Sequence, residues 1–78
     1  MRLSMTVKDK EFRFNSNTAV IITHLKSKVV EKISFAKAIT ILSADPDIDI
    51  ENLKAALIYN KKEAVKSISK TYKIKEDR

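Results

Sequence analysis

Seventy-eight residues, 44% of them hydrophobic, are enough for one small core and too few for two. Cysteine and glycine are both absent, which excludes disulfides, thiolate metal sites, a cysteine nucleophile and the glycine-built phosphate loops of P-loop and Rossmann proteins. The formal charge of +6 is uneven, with +2 over residues 1–14, +3 over 15–44, −3 over 45–60 and +4 over 61–78, and this basic excess invites an anionic partner.

Leu3, Met5 and Val7 alternate with Arg2, Ser4, Thr6 and Lys8, and Phe12 and Phe14 repeat that period of two around Arg13. The short polar link Lys8-Asp9-Lys10-Glu11 joins the two runs, so the spacing predicts an antiparallel hairpin over 2–14. Its apolar face needs a cover, because an isolated two-stranded hairpin is marginal in water.

Asn15-Ser16-Asn17 supplies capping residues, and Ile21, Ile22, Leu25, Val29 and Ile33 then fall at helical spacing. That predicts a helix over about 18–32. The β-branched run Val20-Ile21-Ile22-Thr23 argues for a third strand over 19–23 instead, but the stripe through Val29 favours the helix. Ser34 can cap a second helix over 35–44 lined by Phe35, Ala38, Ile39 and Leu42, and Pro46 forces Asp45 out of helical geometry.

The clearest helix start is Asp49, which can accept from the first-turn N–H groups while Glu51 adds negative charge at the positive end of the dipole. Ile48 and Leu53 stand at the places of a hydrophobic staple, and Leu53, Ala56 and Leu57 make one apolar face, which predicts a helix over 50–59. A last helix over 61–73 follows from a capping-box spacing of Asn60 and Glu63 and from the stripe Val65, Ile68 and Tyr72, with residues 75–78 fraying. The expected architecture is one α+β domain over 1–74, an N-terminal β-hairpin packed against three or four short α-helices.

Candidate chemistry is sparse. Asp45, Asp47 and Asp49 have the opening spacing of a calcium loop, but Ile50 stands where that loop needs glycine and Ala56 where it needs a bidentate glutamate, so no metal is expected. His24 has no second histidine or cysteine for company, and no serine motif or glycine-built oxyanion loop accompanies it; neither an enzyme, nor a cofactor, nor a small-molecule substrate is expected. Lys62, Lys66, Lys70 and Lys73 make a second stripe on the last predicted helix, the natural place for phosphate contacts. The hairpin residues Met5, Val7, Phe12 and Phe14 are the candidate surface for a protein partner, through its exposed edges and apolar face.

The strand–turn–strand opening Leu3-Ser-Met-Thr-Val-Lys-Asp-Lys-Glu-Phe-Arg-Phe14 and the acid-capped helix Asp49-Ile-Glu-Asn-Leu-Lys-Ala-Ala-Leu57 resemble the small tail assembly chaperones of tailed bacteriophages. The resemblance implies a non-enzymatic protein that associates with the tape-measure protein, often as an oligomer, in the host cytoplasm. It transfers no catalytic residue.

The expected function is therefore a protein-interaction module, binding another protein or itself. The alternative is a small basic nucleic-acid-binding protein using the lysine-rich C-terminal helix. No apolar run approaches the roughly 18 residues that span a bilayer, and the N-terminus lacks a signal-peptide core, so a cytoplasmic protein without membrane contact is expected.

Overall fold

Alternation is the rule the first third of the chain obeys, and it persists further than the hairpin. The computed structural model describes residues 2–15 and 19–77, and there the strands β1 (Arg2–Val7), β2 (Lys10–Asn15), β3 (Ala19–His24) and β4 (Val30–Ser34) form an antiparallel meander. Three helices follow, α1 (Phe35–Ser43), α2 (Ile50–Ile58) and the single turn α3 (Lys62–Val65). The strand β5 (Ile74–Asp77) then returns to pair with β1, giving one five-stranded sheet in the order β4-β3-β2-β1-β5. The fold is α+β, as expected, and its radius of gyration of 11.4 Å is that of one compact domain of this length.

Two predicted helices are corrected. Residues 19–33 hold β3 and β4, not a helix over 18–32; Val20 and Ile22 point into the core while Ile21 and Thr23 lie on the other side, the alternation that β-branched side chains favour. Ser16, Asn17 and Thr18, offered as that helix's start, lie outside the described residues. The predicted helix over 61–73 shrinks to Lys62–Val65, because the Ser69 hydroxyl accepts from the N–H groups of Thr71 and Tyr72 at 3.1 and 3.0 Å and folds the chain into a turn. Asn60 is no capping box either: it sits at φ 52° just past α2, the left-handed position that ends a helix, and Lys61 is the residue before α3. The tail expected to fray forms β5 through Asp77.

The other two helices start where the sequence places them. The Ser34 hydroxyl accepts from the Lys37 N–H at 3.1 Å, and the Asp49 carboxylate accepts from the Asn52 N–H at 3.1 Å. Leu53, Ala56 and Leu57 are buried, together with Ile48. The Asn52 side chain bridges the Asp49 carboxylate and the Ser67 carbonyl, which fastens α2 to the segment after α3.

Topology decides where the core lies. The turns β1–β2 and β3–β4 are too short to cover anything, whereas the long connection from β4 to β5 must cross from one edge of the sheet to the other. It does so over one face. Leu3, Met5, Val7, Phe12, Phe14, Val20 and Ile22 meet Ala38, Leu42, Leu53, Ala56, Leu57 and Ile68 there, and Phe35 sets its ring edge-on to Phe14 at 6.3 Å. The opposite face of the sheet is left without a helix.

Candidate functional site

The residues proposed from sequence for a protein contact are inside the molecule. Met5, Phe12 and Phe14 are each 1% exposed and Val7 is 9% exposed, because helices cover the face that the hairpin presents. They form the core and no partner can reach them. Lys62, Lys66, Lys70 and Lys73 are all exposed, but they do not share a helix face: Lys62 lies in α3, Lys66 ends it, Lys70 stands in the following turn, and Lys73 precedes β5.

What the structure assembles instead is a basic outer face. Residues that alternate with the core set point away from the helices, and the register lines them up across the sheet. Lys32 on β4 pairs with Ile21, Ile21 with Arg13, Arg13 with Ser4, and Ser4 with Lys75 on β5, so one row crosses all five strands. Adjacent strands stand about 4.8 Å apart, which sets Arg13 about 10 Å from either lysine position and the two lysine positions about 19 Å apart. Lys73 joins the same edge, its carbonyl accepting from the Thr6 N–H at 3.4 Å, and Arg2 starts β1 on the same outer side. Around these cations the face carries Ser4, Thr6, Ala19, Thr23 and the exposed Val30, and the register sets Asp77 opposite Arg2.

Arg13 lies 3.3 Å from Glu11, its neighbour on the same outer side, and is still well exposed. Lys32 and Lys75 make no ion pair among the described residues. Exposed pairs contribute little, typically ~0.2–1 kcal/mol, so Glu11 does not lock Arg13 away from another anion.

A second feature is a cleft of about 450 Å³ between the β1–β2 turn, the end of α1 and the proline turn, lined by Phe12, Ile41, Leu42, Lys8, Asp45 and Tyr72 among others. One of its walls is a clamp. The Tyr72 hydroxyl donates to the Asp45 carboxylate at 2.5 Å, while the other carboxylate oxygen accepts from the Asp47 N–H at 2.9 Å. The hydroxyl and the backbone N–H, helped by the charge of Lys8, hold the Asp45 carboxyl below its ordinary range. The same hydrogen bond, with partial burial, pushes the Tyr72 hydroxyl up to about 12. The aspartates of the acidic run therefore work as fasteners: Asp45 closes the turn onto the approach to β5 and Asp49 caps α2.

No known family, curated protein or solved structure matches the chain.

Function must then be argued from the surface itself. Among the described residues no three histidine, cysteine or carboxylate side chains gather as a metal site, and no helix is long and apolar enough to cross a membrane. His24 is held by Glu31 at 2.5 Å across the β3–β4 hairpin. Exposed large apolar side chains are Leu25, Val29 and Val30 on the β3–β4 hairpin, Ile41 on α1, Ile58 on α2 and Tyr59 just past it. Among the described residues the outer face of the sheet is an extended, regular surface that no helix covers. Sequence reasoning missed it because a helix drawn through residues 18–32 separates Ile21 and Lys32 from the hairpin that carries Arg13.

Proposed function

We propose that the chain is a non-enzymatic binding module that engages an anionic macromolecular partner through the outer face of its sheet. The observation that carries this reading is the row Lys32–Ile21–Arg13–Ser4–Lys75, in register across five strands with two of its three cations unpaired among the described residues. A rigid sheet fixes the spacing of those charges, so an anion is met by a preformed array and little ordering is needed on binding.

A second reading keeps the protein partner that the chaperone resemblance implies. Ile41, Ile58 and Tyr59, the last 70% exposed, support a contact on the helical layer, where a tape-measure-like partner would be held by apolar surface.

The first reading is tested on immobilised heparin, a generic polyanion, with two triple variants that remove the same charge. R13A/K32A/K75A strips the row, and K62A/K66A/K70A strips exposed lysines elsewhere. The row variant should elute at distinctly lower salt than the other. Coincident elution would show that net charge alone governs retention, and the reading fails.

A further inference from the structure

The chemistry of the outer face narrows the partner further, on the footing that this face is the binding surface. Cores of protein–protein interfaces are depleted in lysine and anchored by aromatic residues, and this face carries lysines and no aromatic side chain among its described residues. Surfaces that hold single-stranded nucleic acid stack bases on aromatic rings, which the same composition does not provide. Arginine, lysine, serine, threonine and asparagine are the side chains that contact phosphate and sugar. Arg2, Ser4, Thr6, Arg13, Asn15, Thr23, Lys32 and Lys75 fit that description.

We infer that the outer face lays the row Lys32–Arg13–Lys75 across the phosphate backbones of duplex DNA. The two lysine positions lie about 19 Å apart, while the major groove of B-form DNA is about 12 Å wide. Lys32 and Lys75 therefore reach the two backbones that flank a groove, and Arg13 stands over the middle. Ser4, Ala19 and Thr6 are shorter than the cations around them, and Ile21 in the row and Val30 beside Thr23 are shorter than the extended reach of lysine and arginine, so the charges project furthest from the sheet. By register two carboxylate positions share this face, Glu11 beside Arg13 and Asp77 opposite Arg2, and the exposed pairing of Glu11 with Arg13 is weak enough to leave Arg13 facing the groove. Such binding reads charge and spacing, so it is indifferent to base sequence.

Fluorescence anisotropy with a short labelled duplex at 50 and 200 mM salt tests this. Two phosphate contacts, from Lys32 and Lys75, steepen the salt dependence by a slope of about 1.8, which is about 12-fold in affinity over that interval. R13A/K32A/K75A should lose that factor, K62A/K66A/K70A should keep it, and the single variant K75A should lose about half of the slope. Circular dichroism checks that each variant is folded, as exposed positions allow. A row variant with unchanged salt dependence overturns the inference, as does equal or tighter binding of single-stranded DNA, duplex RNA or polyglutamate at the same salt. If polyglutamate binds as tightly as the duplex and the row variant weakens it, the duplex inference falls and the binding-face reading stands. If neither polymer distinguishes the two triple variants, both fall.

Discussion

Replacing Lys28 by glycine should make the protein more stable. Lys28 closes the β3–β4 turn at φ 65°, with its N–H donating to the His24 carbonyl at 2.8 Å and the His24 N–H donating to the Val29 carbonyl at 2.8 Å. A side chain in that left-handed region costs about 1–2 kcal/mol, because Cβ crowds the following carbonyl oxygen. Glycine removes the clash but adds about 0.5–1 kcal/mol of unfolded-chain entropy. The net gain is about 0.5–1 kcal/mol, and for a domain of this size each kcal/mol moves Tm by about 4–8 °C. Lys28→Gly should therefore raise Tm by roughly 2–8 °C in a thermal melt followed by circular dichroism. Lys28→Ala removes the same charge and keeps Cβ, so it should leave Tm nearly unchanged. If the glycine variant melts no higher than the alanine variant, the backbone is not strained there and the reasoning is wrong. Lys8, at φ 57° in the β1–β2 turn, has the same geometry but also lends its charge to Asp45, so Lys28 is the cleaner position.

The Asp45–Tyr72 clamp predicts a stability plateau with two shoulders. The tyrosine hydroxyl is raised from its ordinary 10.0 to about 12, so its contribution is complete below pH 10 and is lost as pH rises toward 12. The Asp45 carboxyl is lowered from 3.8, so its contribution is complete above that pH and is lost as pH falls through the depressed value. Denaturant melts across pH should show Tyr72→Phe abolishing the alkaline shoulder and shrinking the acid one, which the Asp47 N–H and Lys8 still support, and a tyrosinate absorbance titration should show the high ionisation moving down in Asp45→Asn; no movement would mean that the bond does not set it. At the β4 edge, symmetric pairing of two copies about the middle of the strand sets Lys32 against Lys32 or, one residue over, Glu31 against Glu31, and like-charge repulsion disfavours these two registers. Lys32→Ile should accordingly increase self-association in sedimentation velocity at high micromolar concentration, and an unchanged profile would show that the edge charge is not what guards it.

The ends of the helical elements were legible in single residues. Ser34 and Asp49 each announce a helix because a short oxygen-bearing side chain can take a first-turn N–H, and Pro46 announces a stop for reasons local to its own ring. The hairpin was equally legible from alternation around Arg13. The third and fourth strands were not, because Ile21, Ile22, Leu25, Val29 and Ile33 satisfy a helical period by coincidence while Val20 to Thr23 satisfy a strand. Choosing between them depends on whether β2 offers an edge to pair with, and that is a tertiary fact. The C-terminal segment misled for a related reason: Ile68 is buried and Val65 and Tyr72 pack against the core as their spacing suggests, yet turns built on Ser69 carry them there. The outer face was invisible for want of register. Its cations are far apart in sequence, and only strand pairing brings Lys32, Arg13 and Lys75 into one line.

Pairing β5 with β1 has a consequence for how the protein is made. The register matches Arg2 with Asp77, so nearly the whole chain separates the two strands that meet at this edge. During synthesis the meander can assemble early, but the outer hydrogen-bonding groups of β1 stay unsatisfied until Ile74–Asp77 emerge from the ribosome. For that interval Leu3 and Met5 belong to an open strand able to recruit a neighbouring nascent chain. A variant truncated before Ile74 would hold that vulnerable stage indefinitely.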